Sequence, residues 1–94
     1  GRYNVNVNCI AYAAIETRLV QAKKKGEEAF IERDGKKVPI GVPEERRDAW
    51  KTIIPLGHAG TPDEAARPIL FFASPLSDYV SGQVMIVGGG LGGF

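Results

Sequence analysis

The chain has 94 residues, enough for one small domain and too few for two. Twelve Lys and Arg against eleven Asp and Glu give a formal charge of +1, so no overall field would draw in nucleic acid or an anionic membrane. A single cysteine excludes an internal disulfide and a cysteine-based metal cluster.

No apolar stretch approaches the roughly 18–20 residues of a membrane span, and no basic-then-apolar leader opens the chain. These absences predict a cytoplasmic protein and a start at Gly1 that is not a natural N-terminus. The basic runs Lys23-Lys24-Lys25 and Arg46-Arg47 have acidic neighbours and read as solvated helix faces.

In chain order, residues 4–10 alternate asparagine with Val5, Val7 and Cys9. Period two predicts a strand with unlike faces, and Cys9 within it reads as a buried, inert thiol. A helix is predicted from about Thr17, with Leu19, Val20, Gly26, Ala29 and Phe30 near one face and a weak point at Gly26. Arg33-Asp34-Gly35-Lys36 signals a turn, and residues 37–42, with Pro39 and Gly41, read as extended loop. A second helix is predicted over 43–52. Glu44 and Glu45 suit its positive end, and Trp50 and Ile53 are its expected anchors.

After a connection over 55–60, Thr61-Pro62-Asp63-Glu64 carries the sharpest local signal. It joins an N-cap threonine, a proline at the first helical position and a glutamate at the third. Ala65, Ala66, Ile69, Leu70, Phe72 and Ala73 make that helix apolar over most of its circumference, which predicts burial on more than one side. Pro68 removes a backbone donor and should bend it, and Ser74-Pro75 ends it. A strand is predicted over 83–87, where Val84–Val87 is a continuous apolar run of the kind buried on both faces. Residues 88–94 contain five glycines and predict no regular structure. Two strands joined by a long helical crossover are most simply parallel neighbours.

Candidate chemistry is sparse. Gly88-x-Gly90-x-x-Gly93 matches a dinucleotide fingerprint, but no helix or acidic residue follows to hold a pyrophosphate, so the match reads as accidental. His58 sits in a Gly-rich connection without a carboxylate in fixed register, and reads as a loop residue ahead of a general base. Tyr12 and Tyr79 lack a lysine four residues on, and Asp34, Asp48, Asp63 and Asp78 show no pairing.

The two ends of the chain carry a recognisable pattern. Val7-Asn8-Cys9-Ile10-Ala11 followed by Ile15-Glu16-Thr17 resembles the sixth strand of the short-chain dehydrogenase/reductase fold and the cofactor loop after it. Residues 54–66 and Leu70-Phe71-Phe72-Ala73-Ser74 are similar to the entry and end of that family's last main helix. Tyr79-Val80-Ser81-Gly82-Gln83, running to Val87-Gly88-Gly89-Gly90, resembles its seventh strand. The likeness is nearest to the 3-oxoacyl-carrier-protein-reductase-like branch. Residues 18–53 align loosely and correspond to the family's variable substrate lid.

The resemblance implies an α/β fold: the C-terminal βαβ portion of a Rossmann-type doubly wound parallel sheet, completed by self-association. Residues 1–94 would be one C-terminal segment of the domain. It implies a parent enzyme that moves hydride between NAD or NADP and an alcohol or ketone, using a Tyr-x-x-x-Lys pair and a serine. Neither that pair nor an N-terminal glycine loop is present, so no catalytic residue and no metal is expected, and the chain alone should bind no cofactor and be inactive. Ile15 and Thr17 match the family's cofactor-contacting positions. The proline and glycine that precede them in the family are replaced by Tyr12 and Ala13, which predicts an altered loop. The expected partners are further copies of the chain or a separate N-terminal-half chain. A pure self-association module and one half of a split oxidoreductase are the alternative readings.

Overall fold

The computed structural model describes residues 1–20, 22–23 and 29–92. The elements run β1 (Cys9–Tyr12), a 3-10 turn (Arg18–Val20), β2 (Ala22–Lys23), β3 (Ala29–Arg33), β4 (Lys36–Ile40), β5 (Val42–Pro43), α1 (Glu44–Ile53), α2 (Pro62–Ala73), a 3-10 turn (Pro75–Ser77) and β6 (Val84–Val87). Strands β1 and β6 pair in parallel, with Cys9 opposite Val84 and Tyr12 opposite Val87. The helices lie in the crossover between them, as the order of elements predicts.

The first strand begins at Cys9 and not at Asn4. The backbone turns left-handed at Asn4 (φ 59°). Beyond it the asparagine side chains do the pairing. Asn6 Nδ2 donates to the Asp78 carbonyl at 2.9 Å, Asn8 Nδ2 donates to the Val80 carbonyl at 2.9 Å, and Gln83 N–H donates to Asn8 Oδ1 at 3.0 Å. The alternation that reads as a strand therefore serves side-chain bonds to the loop before β6, a recurrent alternative to a ladder. Cys9 is exposed and not buried; among the described residues its sheet holds β1 and β6 alone.

The helix predicted from Thr17 is replaced by a 3-10 turn, the short β2 and an antiparallel hairpin. Turn chemistry outweighs the helical spacing. Asp34 and Gly35 both take positive φ (52° and 73°), the conformation of the tight hairpin turn whose twist matches its strands. Pairing then runs from Arg33 opposite Lys36 to Ala29 opposite Ile40. Residues 37–40, predicted as loop, form most of β4, and Val42–Pro43 pairs in parallel with β2. Gly26, the predicted weak point, and Lys24 and Lys25 lie outside the described residues. Lys23 falls in β2 and not in a helix.

Helix α1 has Glu44 and Glu45 in its first turn, as predicted. Its anchor is not Ile53, which is 55% exposed, but Ile54 just past its end, which is 2% exposed. Trp50 is half-buried. In α2 the capping box is complete: Glu64 N–H donates to Thr61 Oγ1 at 3.1 Å and Thr61 N–H donates to Glu64 Oε1 at 3.0 Å. The helix continues through Pro68, which has no N–H to offer the Glu64 carbonyl.

The apolar core of the described residues is small: Ile40, Ile54 and Ala59, with Ser77 buried beside the end of α2. Two predictions of burial fail together. No residue of α2 is buried, and Leu70 is 70% exposed on it. In β6, Val84 is 64% exposed and Ile86 points out with it. The physical reason is that a single strand pair and one helix cannot cover both of their own sides. The chain exposes 7477 Å² of surface, against about 5,300 Å² for a compact monomer of its mass. Its radius of gyration is 16.8 Å, against about 12 Å for a compact chain of this length.

Candidate functional site

In parallel α/β sheets, ligands bind outside the carboxyl ends of the strands. Here those ends are Tyr12 and Val87, side by side. The loop leaving β1 stays in register for one residue more, as Ala13 N–H donates to the Val87 carbonyl at 3.1 Å. Gly60 then takes over as its partner. Gly60 N–H donates to the Ala14 carbonyl at 2.9 Å, and Glu16 N–H donates to the Gly60 carbonyl at 2.7 Å, which makes Ile15 and Gly60 a parallel bridge.

Two glycines permit this approach. A Cβ on Gly60 would lie 2.7 Å from Ile15 Cδ1. One on Gly88 would lie 2.7 Å from Ala13 Cβ and 2.6 Å from the Leu91 carbonyl oxygen. Ala13 itself is not at positive φ, so its backbone requires no glycine. Tyr12 is 42% exposed and donates its hydroxyl proton to the Ala65 carbonyl of α2. The glycines of the tail make a close-packed corner, with Leu56 N–H donating to the Gly89 carbonyl at 3.0 Å. Gly93, the last position of the fingerprint match, lies outside the described residues.

Beside this loop lies an apolar cleft of about 800 Å³. Tyr12, Ile15, Thr17, Trp50, Ala66 and Ile69 are among its walls. The two cofactor-loop residues expected from the sequence, Ile15 and Thr17, thus line the same space. Ile15 also borders a second cavity of about 450 Å³ that reaches His58, Glu64 and Gly88. The main cleft is mostly apolar, with Thr17 among its walls and, among the described residues, no Tyr–Lys pair. A flat, weakly polar ring suits such a slot. A pyrophosphate does not: the loop through Gly57 and Gly60 leads into α2, but that helix N-terminus is already closed by the Thr61–Glu64 capping box, which places a carboxylate there.

His58 has a carboxylate closer than the sequence suggests: its Nδ1 lies 3.9 Å from Glu64 Oε1 and 2.8 Å from the Ala59 carbonyl oxygen. That oxygen of Glu64 is committed to the cap of α2. The backbone N–H of Thr61, foremost, holds the Glu64 carboxyl below the usual carboxylate range. The Thr61 hydroxyl and the charges of His58 and Arg67 act in the same direction, and partial burial opposes them. Among the aspartates, Asp48 pairs with Lys51 at 3.4 Å and Asp34 turns the hairpin. Tyr79 is fully exposed. Among the described residues no group of three or more His, Cys, Asp or Glu could hold a metal ion, and no helix is long and apolar enough to cross a membrane.

One polar contact at the loop was not visible in the sequence. Arg47 of α1 places its guanidinium 2.7 Å from Glu16 Oε1. The two residues are 31 apart, and no local spacing could have paired them. Arg46-Arg47 read as a solvated face, whereas Arg47 is half-buried.

A family model described as enoyl-(acyl carrier protein) reductase matches residues 40–92. The 3-oxoacyl-(acyl-carrier-protein) reductase FabG of Chlamydia muridarum is 34% identical over 91 residues, which is 97% of this chain and 29% of that protein. The Thermotoga maritima protein of the same name is 36% identical over 88 residues, 94% of this chain and 28% of that protein. The crystal structure of a 3-oxoacyl-(acyl-carrier protein) reductase from Brucella melitensis superposes with a TM-score of 0.70 at 28% identity, covering 96% of this chain and 26% of that one. The chain therefore spans less than a third of the length of the relatives it matches.

Proposed function

The chain belongs to the short-chain dehydrogenase/reductase family, in its 3-oxoacyl-carrier-protein-reductase-like branch, and on that premise we propose that it forms the C-terminal, nicotinamide-side wall of an NAD(P)-dependent oxidoreductase acting on an alcohol or ketone. The observation that carries this reading is the placement of Ile15 and Thr17 on one apolar cleft at the carboxyl ends of the parallel pair. In this reading Ile15 packs against the ring and the Thr17 hydroxyl meets its polar edge. When bound, the nicotinamide supplies or accepts the hydride.

The chain does not do this alone. It has no strand–glycine loop–helix unit and no Tyr-x-x-x-Lys sequence, so the pyrophosphate site and the proton-transfer pair must come from other residues. These belong to the rest of the parent protein or to a separate N-terminal-half chain. Incubating the purified chain with NADH or NADPH and a 3-oxoacyl thioester should give no turnover. Turnover by the chain alone would overturn the reading.

A second reading, self-association, is favoured by a specific surface. Ile69 and Leu70 on α2, Leu76 after it, and Val84 and Ile86 on β6 are all exposed apolar residues. A further copy of the chain would cover these residues.

A further inference from the structure

We propose that Arg47 is a positioning residue: from α1, through Glu16, it holds the loop that carries Ile15 and Thr17. The inference rests on the reading of that loop as the nicotinamide wall, and adds a device that controls its shape.

The loop is restrained on two sides. Its main chain is tied to Gly60 by the bonds from Gly60 N–H to the Ala14 carbonyl and from Glu16 N–H to the Gly60 carbonyl. Its side-chain tie is the 2.7 Å bond from the Arg47 guanidinium to Glu16 Oε1. Glu16 stands between Ile15 and Thr17, so its carboxylate is a handle on both. The turn that follows begins at Thr17, whose carbonyl accepts from Val20 N–H at 3.1 Å, so the same handle sets where that turn starts.

Arg47 is well placed for this task and for little else. Its side chain is 24% exposed, and its Nε is buried without an acceptor. The guanidinium is therefore aimed by packing and by the single bond to Glu16. Glu44 and Asp48 border the same cavity of about 360 Å³ as Arg47, and Asp48 lies 3.4 Å from Lys51, while the Arg47 bond goes to Glu16. Of the other basic side chains on that cavity, Lys51 has that contact with Asp48, and His58 Nδ1 lies 2.8 Å from the Ala59 carbonyl oxygen.

An ion pair this near the surface adds little to global stability, so its loss should be felt locally. The consequence is a link between α1, in the segment that corresponds to the substrate lid, and the cofactor loop. A displacement of α1 would release Glu16.

Amide hydrogen exchange on the 94-residue chain, without cofactor, tests this. In Arg47→Met, exchange at Glu16 and Gly60 should rise roughly tenfold or more, while Cys9, which donates to the Gln83 carbonyl, and Ala65, which donates to the Thr61 carbonyl, stay unchanged. Glu16→Leu, which removes the acceptor, should reproduce the effect without touching α1. Arg47→Lys needs one donor only and should restore protection, as should the charge swap R47E with E16R. Unchanged exchange at Glu16 and Gly60 in both single variants would overturn the proposal. So would a uniform rise that includes Cys9 and Ala65, or a failure of both Arg47→Lys and the swap to restore protection. Because no cofactor is present, these outcomes are separate from any failure of the nicotinamide reading, which would appear only in cofactor-dependent measurements.

Discussion

At Gly88 a methyl group would meet two fixed things at once, the Leu91 carbonyl oxygen at 2.6 Å and Ala13 Cβ at 2.7 Å. At Gly60 it would meet the end of a flexible side chain, Ile15 Cδ1 at 2.7 Å. The two substitutions should therefore differ. Gly88→Ala should cost about 1–3 kcal/mol of stability by overpacking, measured by thermal or denaturant unfolding, and Gly60→Ala less, with Ile15 displaced. Thr61 offers a second contrast. Thr61→Ala should cost about 1 kcal/mol, because an N-cap acceptor is lost at the start of α2. The reciprocal half of the box adds a pH dependence. The folded-state pKa of Glu64 is depressed, so its contribution is complete above the ordinary carboxylate range and is lost as pH falls through the depressed value. Melting curves of the native chain and of Glu64→Gln should therefore converge on acidification. A gap that persists in acid would contradict this.

Among the elements, what could be read in advance follows from how local the cause is. The capping box lies within four residues, and α2 begins where Thr61-Pro62-Asp63-Glu64 says it should. The Asp34-Gly35 turn is likewise local and present. The segment before it misleads because spacing alone cannot tell a short helix from a hairpin strand, and the turn decides in favour of the hairpin. The asparagine row misleads for the opposite reason: its alternation is real, but its partners are over 70 residues away, in the loop before β6. Of the candidate site, Ile15 and Thr17 are legible through the resemblance. Arg47 is not, because its bond to Glu16 exists only once α1 has packed. Gly35→Ala forces a side chain into the left-handed region, at roughly 1–2 kcal/mol. It should loosen the hairpin in exchange measurements while β1 and β6 stay paired. Asp34→Asn should be tolerated, since Asn-Gly suits this turn equally well.

At the scale of the whole molecule, the chain exposes more surface and spreads further than a self-sufficient domain of its size. The apolar residues left open lie on α2, the turn after it and β6, the elements that a larger α/β sheet would cover on both sides. Light scattering should therefore find the isolated chain as a dimer or larger, and a monomer with a cooperative melt would count against self-association. On the function proposed above, this chain supplies the nicotinamide wall and other residues supply the rest. A reductase of this branch, truncated where its match to the chain begins, provides those residues. Following NADH or NADPH oxidation with a 3-oxoacyl thioester, neither piece alone should turn over and the mixture should. Thr17→Val in this chain should slow the mixture about tenfold, the worth of one hydrogen bond. Turnover by the chain alone, or a mixture that never turns over or is indifferent to Thr17→Val, would contradict the account.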